Sequence, residues 1–131
     1  MNSGANHKDY TFSSPFNGQY INELYDNDPI LIDETFGDVL KEYNPMLQDV
    51  LVCYRAGDIR ALRSAVHRIK PLLGYVGLTG FQSECQKFES NCERDPFPSL
   101  HDDFASLSAN LTSAKGMIEN EKAKLEAYLI S

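Results

Sequence analysis

Apolar residues recur three and four apart along most of the chain, and nowhere do they alternate at the two-residue period of a strand. The longest such series is Ile32, Phe36, Val39, Leu40, Tyr43, Met46, Leu47, Val50, Leu51 and Tyr54. It predicts a long helix that starts at Asp28-Pro29 and stops at Gly57, with the aspartate as cap and proline in the first turn. Pro45 interrupts the series without shifting its phase, so one helix kinked near Asn44 is expected rather than two. Asp58 then caps a second helix, whose inner side is Leu62, Ala65, Ile69, Leu72, Leu73 and Val76 and which Gly77 closes. Thr79 and Gln82 fit a capping box for a third helix to about Arg94, striped by Phe81, Cys85, Phe88 and Cys92. Asp95-Pro96-Phe97-Pro98 reads as a stiff turn, after which Ser99 caps a last helix running to the C-terminus. Its stripe is Leu100, Phe104, Leu107, Leu111, Ala114, Ile118, Leu125 and Leu129.

Ahead of these helices, Tyr20, Ile21, Leu24 and Tyr25 predict a short amphipathic helix between about Asn17 and Asp26. Residues 1–16, His7 among them, read as a flexible polar tail. Amphipathic helices joined by short turns bury their stripes against one another. The expected fold is therefore all-α: an antiparallel up-and-down four-helix bundle with a short extra N-terminal helix, one domain over residues 17–131.

Composition narrows the function more than the fold. The chain has 131 residues, 42% of them hydrophobic, enough for one substantial core. Its net charge is −7, from 12 basic and 19 acidic residues, which argues against binding nucleic acid or an anionic membrane through overall charge. Against that acidic background the cluster Arg60, Arg63, Arg68 and Lys70 stands out. No apolar run has the length of a membrane span and the first residues lack a signal-peptide core, so a cytoplasmic protein is expected. Three cysteines are an odd count for a disulfide framework, and Cys85 and Cys92, seven apart in register with Phe81 and Phe88, read as core rather than zinc ligands.

No phosphate-binding glycine loop, nucleophile elbow or zinc-protease motif is present, and the acidic residues are not paired on an inward face. One histidine remains to be explained. Wound at roughly 100° per residue, the second helix places His67 almost opposite its apolar stripe, beside Arg60, Arg63, Ser64 and Lys70, with Gly74 further on. Imidazole titrates near neutrality and can attack a phosphoryl group to give phosphohistidine. Lys70, one turn away, and Arg63, a turn to the other side, could neutralise the added charge. His67 lies eleven residues before Leu78 and Glu89 eleven after it, so in an antiparallel hairpin they reach the same height. Glu89 could then orient the ring, although spacing alone fits a solvated flank residue better. Pro71 removes the helical donor to the carbonyl of His67, and either function or a tolerated packing bend accounts for it.

The stretch His67-x-x-Lys70-Pro71-x-x-Gly74-x-x-Gly77-Leu78 resembles the signature of histidine-containing phosphotransfer (HPt) domains of multistep phosphorelays. It is similar to their His-x-x-Lys-Gly…Gly-Leu/Ala pattern, and the order of helices agrees over about residues 17–130. The resemblance implies that His67 is the phosphoacceptor, that Lys70 supports the phosphoryl group and that Glu89 hydrogen-bonds the imidazole. It implies too that Gly74 and Gly77 leave room for a partner. Pro71 stands where that family has glycine, and Leu72 and Leu73 where small residues are common, which leaves partner specificity open.

The implied partners are response-regulator receiver domains, a hybrid histidine kinase, or both. The receiver would supply the catalytic aspartate and Mg²⁺, and this chain, a monomeric carrier rather than an enzyme, would hold no cofactor or metal. Arg60, Arg63, Ser64, Arg68, Gly74, Gly77 and Leu78 would form the docking face. The alternative is a helical interaction module that docks on a receiver or kinase and is never phosphorylated. A kinase is disfavoured, since no nucleotide-binding domain is recognisable. The methionine start and polar tail favour a freestanding chain over an excised domain.

Overall fold

Asp28 opens the first long helix through its side chain, which accepts from the backbone N–H groups of Ile30 and Leu31 at 3.1 Å each. That helix, α2, runs unbroken from Pro29 to Arg55 and carries Pro45 within it. The computed structural model describes residues 10–131; His7 lies outside the described residues. Before α2 comes α1 (Gly18–Leu24), and after it α3 (Ile59–Tyr75), α4 (Thr79–Arg94) and α5 (His101–Ile130). Among the described residues there is no strand.

The apolar stripes become one core. Phe36, Tyr43, Leu62, Ile69, Leu73, Cys85, Leu111, Ile118 and Leu125 are essentially sealed from solvent. Polar contacts between helices show how neighbours run. Asp33 meets Lys122 and Tyr43 donates to the carbonyl of Leu111, so α2 and α5 advance in opposite directions. Glu84 pairs with Asn110 and Asn91 with Asp103, which makes α4 and α5 antiparallel as well. α3 closes the ring against α2 and α4. The result is a helical bundle with antiparallel neighbours and the short α1 laid across one end.

The α3–α4 turn differs from its sequence expectation. Gly77 takes φ +75°, and the N–H groups of Gly77 and Leu78 return to the carbonyls of Gly74 (3.1 Å) and Leu73 (2.8 Å), closing α3 in a Schellman motif. Leu78, held by that bond and buried, becomes the residue before α4, so Thr79 is already helical and no side chain caps α4. The capping box does not form. Similarly, Ser99 lies within a short 3₁₀ turn over Phe97–Leu100 instead of capping α5.

The N-terminal stretch departs further. Residues 10–16 are not loose. Tyr10 and Phe12 pack against the core and Phe16 is buried in it. The Tyr10 hydroxyl donates to the Glu121 carboxylate at 2.7 Å and the Ser13 N–H at 3.0 Å, so this stretch is clasped to α5. Glu121 is itself only 2% exposed, a buried acid that needs those two donors. α1 continues the strap: the Asn17 N–H donates to the Gly77 carbonyl, and Ile21, wholly buried, sits over Gly77 where a Cβ would collide with it. Burying that one isoleucine contributes about 2 kcal/mol.

Candidate functional site

α3 and α4 run side by side in opposite directions from the Gly77-Leu78 turn, so residues equally far from Leu78 meet. His67 and Glu89 form one rung, with Nδ1 and Oε1 2.7 Å apart. Lys70 and Gln86 form another, Nζ donating to Oε1 at 2.7 Å. Arg63 and Glu93 form a third, as an ion pair. Reading the hairpin this way brings Glu89 to the height of His67, although spacing alone favours a solvated flank residue there. The same arithmetic singles out Gln86 and Glu93, which a search limited to partners of the histidine passes over.

Glu89 is the centre of the ladder. Its side chain is 7% exposed, its Oε1 meets His67, and its Oε2, sealed from solvent, meets the Lys70 ammonium at 2.6 Å off the hydrogen-bonding direction. A buried carboxylate survives only when its charge is matched, and Lys70 supplies the match. Lys70 is accordingly drawn inward, its side chain 16% exposed, paired in charge with Glu89 and donating to Gln86.

The imidazole has the opposite setting. The His67 side chain is 68% exposed. Because an ionised carboxylate can only accept, the Nδ1 facing Glu89 must carry the hydrogen. In the neutral ring, Nε2 then holds the free lone pair and points away from α4. Beside the ring opens a cavity of about 330 Å³ lined by Arg63, Ser64, His67, Arg68 and Glu89. Arg60, Arg63, Ser64 and Arg68 are all exposed. Two of the arginines already have acidic neighbours, Arg63 with Glu93 on α4 and Arg68 with Asp49 on α2 at 3.7 Å.

Three residues expected on the docking face lie elsewhere. Gly74, Gly77 and Leu78 are buried. A Cβ on Gly74 would strike the side-chain amide of Gln82, and one on Gly77 would strike Ile21. Their small size serves close packing inside the chain: Gly74 admits Gln82, and Gly77 admits α1 and the left-handed turn. Leu72 and Leu73 are buried core residues, and Pro71 sits exposed within α3 without ending it.

The cysteines do not extend the site. Burial pushes the Cys85 thiol up to about 12 and that of Cys92 up to about 11, so both stay protonated and unreactive. Among the described residues no group of three or more His, Cys, Asp or Glu side chains could hold a metal ion, and no helix is long and apolar enough to cross a membrane.

An exposed imidazole anchored through one nitrogen can do one thing well: offer the other to an electrophile. Comparison with curated proteins and with solved structures finds no match. A family model, described as the Hpt domain, matches residues 34–123, from early in α2 into α5 and across the whole His67 hairpin. With that match spanning most of the bundle and the whole α3–α4 hairpin, the chain belongs to the Hpt domain family.

Proposed function

We propose that this chain is a phosphorelay carrier, taking a phosphoryl group on His67 from the aspartate of a response-regulator receiver domain and passing it to another. The observation that carries the reading is the contrast within one hydrogen-bonded pair, an imidazole 68% exposed on a carboxylate 7% exposed. The fixed partner sets the tautomer, and the open ring meets the donor.

In the transfer, the Nε2 lone pair attacks phosphorus. The bond from phosphorus to the receiver's carboxylate oxygen breaks, and its electron pair stays on the leaving aspartate. The ring keeps its Nδ1 hydrogen and becomes cationic, so the Glu89 carboxylate stabilises the product as it forms. Onward transfer is the same step reversed. The receiver supplies Mg²⁺, which offsets charge on the phosphoryl oxygens. Lys70 contributes through Glu89, whose charge it matches and which it holds in place. Exposed Arg60 and Arg68 favour encounter with an acidic receiver pocket in a salt-sensitive way. The reading extends to a cytoplasmic, monomeric carrier without a cofactor.

The test is incubation with a receiver carrying labelled phosphoryl on its aspartate. Label that moves to this chain, is lost in acid and survives base is the expected result. A chain that binds the receiver yet stays unlabelled is an interaction module, and the carrier reading then falls.

A further inference from the structure

We propose that the phosphoryl group on His67 is held by Arg63 and Ser64, in the cavity on the N-terminal side of the ring, rather than chiefly by Lys70. This rests on the phosphoacceptor reading of His67. Helical side chains lean toward the N-terminus of their helix, so the ring of His67 lies over the turn that carries Arg63 and Ser64. The cavity beside it is lined by both of those residues and not by Lys70. With Nδ1 tied to Glu89, a group on Nε2 projects into that space.

Availability decides between the cations. Lys70 is 16% exposed and holds Glu89, 7% exposed, so turning it outward would strand a buried carboxylate. Arg63 and Glu93 are 49% and 52% exposed, a surface pair of the kind that contributes little. Exchanging Glu93 for a phosphoryl dianion therefore costs Arg63 almost nothing, and the freed carboxylate is already in water. A guanidinium presents paired donors that fit two phosphoryl oxygens at once, which an ammonium does not. The Ser64 hydroxyl can donate to a third. Arg68 lines the cavity from the side of α2 and stays with Asp49 as an outer cation.

The experiment loads the full chain with phosphoramidate, a small phosphoryl donor, and follows phosphohistidine by ³¹P resonance against pH. In loading, the P–N bond of the donor breaks and ammonia leaves as the Nε2–P bond forms. A guanidinium on the phosphoryl oxygens favours the dianion, so their second ionisation should rise by about one pH unit in Arg63→Gln. Arg63→Lys should fall between, and Ser64→Ala should rise less. Glu89, Glu93 and Asp49 face the site from α4 and α2, and Arg68 and Lys70 share α3 with Arg63. Because Arg63→Gln also unpairs Glu93, each comparison is repeated in a Glu93→Gln background, where the difference reports Arg63 itself. Arg63 is exposed, and equal melting temperatures will show that the fold is not the cause. If Arg63→Gln titrates with the unmodified chain, the cradle is overturned while the acceptor stands. If the unmodified chain forms no phosphohistidine at position 67, both fall.

Discussion

His67→Gln is expected to abolish phosphoryl acceptance from a phosphorylated receiver while leaving helical content unchanged. The size of the effect follows from the chemistry. Glutamine keeps a polar group of similar reach but has no nucleophilic lone pair on nitrogen, because its amide nitrogen is delocalised into the carbonyl. Among the described residues the other histidine, His101, starts α5 outside the α3–α4 hairpin, with its Nδ1 on the Tyr54 hydroxyl rather than on a carboxylate. The fold is indifferent because the ring makes one hydrogen bond, to Glu89, and lies mostly in solvent. Glutamine can donate to the same carboxylate, so that buried acid keeps a partner. Circular dichroism checks the structure and autoradiography the label. Full labelling of the variant would place the acceptor elsewhere in the chain.

Lys70→Met should be the most destabilising single change at the site. The methionine fills the stem's volume but leaves the sealed Oε2 of Glu89 facing no positive charge. Breaking a buried pair from one side costs about 3 kcal/mol, the lower end of the usual range because the His67 donor remains. For a chain of this size that lowers the melting temperature by about 10 °C. The double variant Lys70→Met with Glu89→Gln should recover most of the loss, since an amide needs no counter-charge. Urea denaturation of both variants distinguishes this from lost packing, which the second substitution would not repair. A Lys70→Met protein as stable as the parent would mean that Glu89 does not depend on Lys70.

The bundle was legible because its stripes are periodic over many turns, as in Ile32 to Tyr54 and Leu100 to Leu125, and nearly all of those positions are buried or packed on the core. Turn details were not. Thr79 and Gln82 satisfy a local rule, but the Schellman closure at Gly77 and the fit of Gln82 over Gly74 are tertiary and override it. The strap at residues 10–16 was missed for a related reason. Its aromatic residues, Tyr10, Phe12 and Phe16, are too few to show a period, and Glu121, which accepts from Tyr10 and Ser13, looks on paper like any surface acid. At the site, spacing could bring His67 and Glu89 to one height but could not reveal that Glu89 is buried. Nor could it show that Lys70 turns inward to meet that acid while Arg63 stays exposed beside the ring. Small residues in a motif read as clearance for a partner, whereas Gly74 and Gly77 make room for the chain's own Gln82 and Ile21.

The central claim is that the Glu89 contact fixes hydrogen on Nδ1 and so makes Nε2 of His67 the nucleophile. Phosphorylating the chain with its imidazoles enriched in ¹⁵N, and reading which ring nitrogen couples to phosphorus, tests it most directly. Coupling to Nε2 of His67, with Nδ1 still protonated, is the predicted result. Phosphorus on Nδ1 would contradict the account, because that nitrogen would have had to abandon Glu89 to react.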